Sequence, residues 1–445
     1  ATIYSLLGQS EKLAGRVDLA INAHNQILAL MPKDTLRYTQ SLLELGDMLK
    51  EDNPKASVDY LTEALNLGYA PTLLKASIHI TRAKVYQLMN NQEQADKDCI
   101  EALILIMEQI RGRAPYVKGE FKEKLWEIVR KLIGETASLT VEESSNGLKT
   151  GLYNAVLCAK GFLLSSERSI KDAIYTEPEL SEYIPLYEKC RNFYDNRKKW
   201  GEQTEVSAEE YVNLFADEMK FTIAANKFID KYCSYLNISF ATVKEKLPEE
   251  AVVVDYFNFM NLKNEQEYIA FVYRKESEFP QIIRVCEETD LAEIFHKMKA
   301  DHNSGYHSSL LYNCSLPFGH SMRKIIWDKI ASQAGISACN QIYFVPSGSI
   351  NKIVLESLPA GECDENVTLE ECYKGFNRLS SARETLNSGE LRFKDIALFG
   401  GLDYEEDCGW ESKQRGYCVN EADGGIVIPR PWGNLAMTSL EVNHI

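Results

Sequence analysis

The stretch QIYFVPSGSINKIVLESLP, Gln341 to Pro359, decides the fold of this chain. Its first five residues are a short apolar run with branched and aromatic side chains, the mark of a strand buried on at least one face. Pro346-Ser347-Gly348 breaks that run, because proline fixes one backbone angle and glycine adopts positive φ at little steric cost. The apolar residues that follow, up to Leu358-Pro359, read as a second strand. Further on, KDIALFGGLDY, Lys394 to Tyr404, reads as another buried strand stopping on Gly400-Gly401.

Working outward, the hydrophobic period changes from helical to strand-like at Leu247-Pro248. Ala251 to Phe257, Tyr268 to Tyr273 and Gln281 to Val285 are short apolar runs between polar loops, and Ser321 to Ser332 has a helical pattern. Strands alternating with helices predict a layered α/β domain. Before it, from about Lys118 to Lys246, the chain reads as long helices bridging to that domain. Tyr211, Leu214, Phe215 and Met219 are spaced as a buried helical stripe there, and their apolar side chains are expected in the core.

The first hundred residues repeat. Gly8, Ala20 and Pro32 keep the spacing of small, small and proline positions in a tetratricopeptide-like helix pair, with Tyr4 and Leu7 in the apolar slots before the glycine. Gly46, Ser57, Leu61 and Ala64 repeat the order, and Ala83, Tyr86, Ala95, Cys99 and Ala102 do so again. The small residues are needed where the two helices of a pair cross at close approach. The phase advances by roughly 37 residues, slightly more than the ~34 of an ideal repeat. A generic helical hairpin array is the alternative reading of the same marks.

Composition narrows the function classes. With 445 residues the chain has room for two to four domains, and its formal charge of −16 opposes nonspecific binding to nucleic acid or an anionic membrane. Eleven scattered cysteines without a CxxC pair, no apolar run long enough to span a membrane and no leader predict a cytoplasmic protein with free thiols. Ala1 is not an initiator Met, so a front truncation is expected. There is no phosphate loop, no HExxH and no EF-hand loop, so neither cofactor nor metal is expected.

The segments Gln341 to Pro359 and Lys394 to Tyr404 together resemble the CHAT domain, a caspase- and separase-like cysteine peptidase fold that commonly follows tetratricopeptide (TPR) repeats. Leu152 to Ser166 and Leu379 to Thr385 are similar to further segments of that family, and Leu435, Thr438 and Glu441 to the start of its next helix, although Ala436 stands where proline is usual. The resemblance implies an α plus α/β architecture: TPR repeats over 1–117, a helical linker over 118–246, a pseudo-peptidase half over 247–393 and the opening of an active half over 394–445.

The same resemblance places the catalytic His and Cys beyond Ile445, so no catalytic residue is assigned. Ser337-Ala338-Cys339 copies the letters of the nucleophile turn but precedes a strand instead of ending one. The implied function is the regulatory part of a CHAT-type cysteine endopeptidase; the alternative is a noncatalytic TPR scaffold. A protein partner is expected along the first helices of the repeats, at Gln9, Lys12, Asp47, Lys50, Lys84 and Gln87. A peptide substrate is expected at the acidic loop Leu402 to Trp432, where Arg415 and Arg430 are the candidate carboxylate partners. That loop lacks a strand or helix period and is expected to be mobile.

Overall fold

The computed structural model describes residues 2–67, 70–113, 119–160, 170–200, 208–228, 237–301, 318–338, 340–360, 367–386, 418–419 and 426–427. They fall in two compact units, Ala1–Asn387 and Ser388–Ile445.

The first unit begins with antiparallel helix pairs: α1 (Thr2–Leu13) with α2 (Val17–Leu30), α3 (Leu36–Leu49) with α4 (Pro54–Asn66), and α5 (Thr72–Leu88) with α6 (Gln92–Arg113). The helix starts follow local chemistry. Thr35 and Asn53 cap α3 and α4 by accepting the amides of Tyr38 and Ala56, and Pro54 occupies the first turn, where its missing N–H costs nothing. Each of the first two crossings needs its glycine. A Cβ on Gly8 would stand 2.6 Å from the His24 ring, and one on Gly46 would stand 2.6 Å from Leu61. Across the second crossing, Ser57 donates to the Gly46 carbonyl at 2.6 Å.

The stack runs past residue 117. Helix α7 (Gly119–Leu139) packs on α5 and α6, and α8 (Asn146–Ala159) packs on α6 and α7. After α8, a 3-10 turn at Pro178–Tyr183 and helices α9 (Ile184–Trp200) and α10 (Ala208–Asn226) bury a small core of their own around Leu180, Tyr187, Cys190, Leu214, Phe221 and Ala225. The sequence placed Met219 in this stripe, but it is exposed. The core side is Leu214–Phe221–Ala225, and Met219 lies about 140° round the helix from Leu214.

A short helix α11 (Phe240–Glu245) leads into a five-stranded mixed sheet of order β3-β2-β1-β4-β5. Its strands are β1 (Ala251–Met260), β2 (Gln266–Tyr273), β3 (Gln281–Glu287), β4 (Gln341–Val345) and β5 (Gly375–Arg378). β1–β2 and β2–β3 are antiparallel, whereas β1–β4 and β4–β5 are parallel. Between β3 and β4 come α12 (Glu288–Asp301), α13 (Phe318–Arg323), a π-turn at Lys324–Asp328 and α14 (Lys329–Gln333). The fold class is thus α plus α/β.

Strand β1 is buried on both faces, and its alternation sorts side chains into two cores. Ala251, Val253, Phe257 and Phe259 join one core with α5 to α8 and α11. Val252, Val254 and Tyr256 join the other with α12 to α14 and the turns after β4. Gly134 of α7 lets the helix lie on the strand: a Cβ there would sit 3.0 Å from Phe259 Cβ and 3.1 Å from the Met260 carbonyl.

Two further sequence expectations change. The residues after Pro346-Ser347-Gly348 form 3-10 turns, Gly348–Lys352 and Leu355–Ser357, and not a second strand. Gly348 takes φ +56°, which turns the chain back over the sheet; Ile350, Ile353, Leu355 and Leu358 then reach one core from turns, imitating a strand's apolar density. In the second unit, β6 (Cys418–Val419) and β7 (Ile426–Val427) form a short antiparallel pair inside the stretch expected to lack strands. The two-residue strands are too short for a period to show in sequence.

Candidate functional site

Five of the six residues expected on the repeat groove are drawn into contacts along the first helices of the pairs. Lys12 of α1 donates to Glu44 at 2.7 Å and to Asp47 at 2.9 Å on α3, and Lys50 donates to Asp47 at 2.8 Å. Lys84 of α5 reaches Glu135 of α7 at 2.8 Å, and Gln87 donates to the Leu139 carbonyl at 2.6 Å. Gln9 is exposed. Burial penalises the Asp47 carboxylate, but Lys50 and Lys12 outweigh it and leave its pKa below the ordinary value. The groove is thus a ladder of ion pairs tying the array together, with polar atoms along one face.

A deeper pair lies between α5 and α6. Arg82 forks onto Asp98 at 2.8 and 2.7 Å, His79 adds a contact to the same carboxylate at 2.7 Å, and the Arg82 fork also donates to Thr62 of α4 at 2.9 Å. Burial raises the Asp98 pKa, and Arg82 and His79 reverse that to a net lowering.

The polar group that sequence reading passed over is Asp255. It sits fully buried in the middle of AVVVDYF on the β1 face toward the array. Lys160, which caps the C-terminus of α8, donates to its carboxylate and, at 2.6 Å, to the Tyr256 carbonyl. Tyr153 of α8 donates to Asp255 at 3.1 Å, and the Tyr153 and Tyr273 hydroxyls lie 3.0 Å apart. Burial raises the Asp255 pKa, and the opposing pull of Lys160 and Tyr153 does not fully offset it. A charged residue flanked by valines and aromatics was the available signal, since a carboxylate is tolerated in such a place only when paired.

Helix α8 carries further ties at the same end. Arg383 donates to the Leu157 carbonyl at 2.6 Å, and Asn154 accepts the Phe240 amide at 2.7 Å. One helix end therefore holds the central strand, the segment after β5 and the approach to β1.

The Pro-Ser-Gly turn builds a second cluster at the carboxyl end of β4, where open α/β sheets place their ligand sites. Ser347 donates to Asn258 at 2.7 Å, and Tyr268 accepts the Ser349 amide at 2.9 Å. Tyr268 and Ser349 both donate to Glu288, the first residue of α12. A Cβ on Gly348 would lie 2.5 Å from the Tyr268 hydroxyl and 2.9 Å from Asn258. Burial, reinforced by Glu288, pushes the Tyr268 phenol up to about 12, so this hydroxyl keeps its proton near neutrality.

Nucleophilic cysteine chemistry requires a lowered thiol pKa. Burial pushes Cys99 and Cys158 the other way, and it pushes Cys286, beside Asp290 and Glu288, up to about 12. Among the described residues no group of three metal-ligating side chains gathers, and no helix is long and apolar enough to cross a membrane. Cys339, Arg415, Arg430 and the Gly400-Gly401 pair lie outside the described residues. Among the described residues, the α8–β1 junction joins the helical array to the sheet through a buried charged contact. No protein-family model matches the chain, and no curated protein matches it.

Proposed function

We propose that this chain is the partner-sensing arm and noncatalytic α/β half of a CHAT-type, caspase-like cysteine endopeptidase, with the TPR-like array taking up a protein partner. The observation that carries the reading is the Lys160–Asp255 contact, which joins the last helix of the stack to the central strand of the sheet. A strained or relaxed stack changes the position of the α8 C-terminus, and the buried charge pair forces β1 to follow. The caspase-like element rests on the resemblance in Gln341 to Tyr404, supported by a parallel β1–β4–β5 order with helices on both faces. In this reading Arg415 and Arg430 meet an acidic substrate side chain.

The test uses the full-length gene product, a partner captured by crosslinking, and peptide hydrolysis with and without that partner. Lys160→Met is expected to keep partner affinity while abolishing the partner-dependent rise in hydrolysis. Equal activation of variant and parent would overturn the relay. A noncatalytic scaffold is the second reading; it prevails if the full-length protein binds the partner and cleaves nothing.

A further inference from the structure

The outer face of α1 is apolar and open. Ile3 is 80% exposed, Leu6 64% and Leu7 43%. By the phase of the repeat, Ile3 corresponds to Ser41 in α3 and Ile78 in α5, which are 2% and 0% exposed, and Leu7 corresponds to Leu45 at 0%. What separates α1 from its counterparts is the helix ahead of each: α2 packs on α3, and α4 packs on α5. For Ile78 the source of cover is direct: Leu61 and Ala64 of α4 share its core cluster.

We infer that the outer face of α1 seats one more helix pair of the same kind, the preceding member of this polypeptide's own array. Its second helix takes on α1 the place that α4 takes on α5, presenting small and branched apolar residues at helical spacing. This inference rests on the repeat geometry alone and not on the peptidase reading.

The test compares the 445-residue polypeptide with the full-length product of its gene, using hydrogen exchange over Thr2–Leu13. The longer protein is expected to slow α1 exchange by roughly tenfold or more. The double change Ile3→Lys with Leu7→Lys is expected to lower the thermal midpoint of the longer protein and leave that of the shorter one unchanged. Equal exchange in the two lengths, or a reading frame with no helix pair ahead of α1, overturns the inference. So does protection that appears in the shorter protein alone as its concentration rises, which would assign the face to a second copy.

Discussion

Two buried carboxylates, Asp98 between α5 and α6 and Asp255 between α8 and β1, solve the same problem to different degrees. Asp98 receives a two-pronged guanidinium and an imidazole, so its charged form is favoured despite burial. Asp255 is fully buried and has one ammonium and one phenol, and there desolvation wins. The comparison teaches that the array is stapled internally by a well-compensated pair, whereas the array-to-sheet junction rests on a carboxylate whose burial its partners do not fully offset.

The largest expected effect breaks the second pair. Lys160→Met should cost about 3–5 kcal/mol near neutral pH, because it leaves a carboxylate buried with only a phenol as partner. The folded pKa of Asp255 is raised, so protonation favours the folded state. The loss should shrink as pH falls through that raised value, above the ordinary carboxylate range. Chemical denaturation at several pH values checks this; a loss independent of pH would refute a raised folded pKa for Asp255.

Arg82→Met sharpens the contrast, with an expected cost of about 2–3 kcal/mol since His79 remains beside Asp98. The folded pKa of Asp98 is lowered, so its contribution is present above the unfolded value and lost only as pH falls through the lower, folded one. The gap between parent and variant should therefore persist to lower pH than the gap for Lys160→Met. Closure of both gaps at the same pH would erase the distinction.

His24 offers a third, smaller contrast, a buried polar group with no compensation at all. Both ring nitrogens are buried without a partner, and the ring stands where the next pair has Leu61. Burial lowers its pKa, against Glu44 and with Lys12. His24→Leu should stabilise the protein by about 1 kcal/mol at neutral pH. The advantage should grow as pH falls below the ordinary imidazole value of about 6.5, where the unfolded state takes up the proton first. Thermal midpoints at pH 8 and pH 5.5 measure it, and an advantage that narrows on acidification would count against a neutral buried ring.

The smallest effects belong to the ladder. Lys84→Glu should cost about 1 kcal/mol, because Lys84 and Glu135 are both less than a fifth exposed, while Lys50→Glu should stay within about 0.5 kcal/mol. Equal costs would mean that burial does not set the worth of these pairs.

The sequence carried the helix pairs and the first three strands because each has a clean period: Gly8 and Gly46 mark crossings, and AVVVDYF and YIAFVY are continuous apolar runs. It misled where turns supply apolar residues at strand-like density, as after Gly348. The groove residues were legible as polar positions on the first helices, but their pairing was not, since Glu135 lies some fifty residues from Lys84 and sequence spacing says nothing about stacking distance. Asp255 was visible as an anomaly; Lys160, its partner, looks like any surface lysine until the helix end is placed beside the strand.

The position of Asp255 in β1 has one more consequence. Successive residues of this strand belong to opposite cores, so a slip of one residue against β2 or β4 would move the carboxylate to the face of Val252, Val254 and Tyr256, away from Lys160, and set a valine or tyrosine against Lys160. A single charge matched by one lysine from α8 therefore makes a one-residue misalignment of β1 expensive, because it would bury the carboxylate without its ammonium partner.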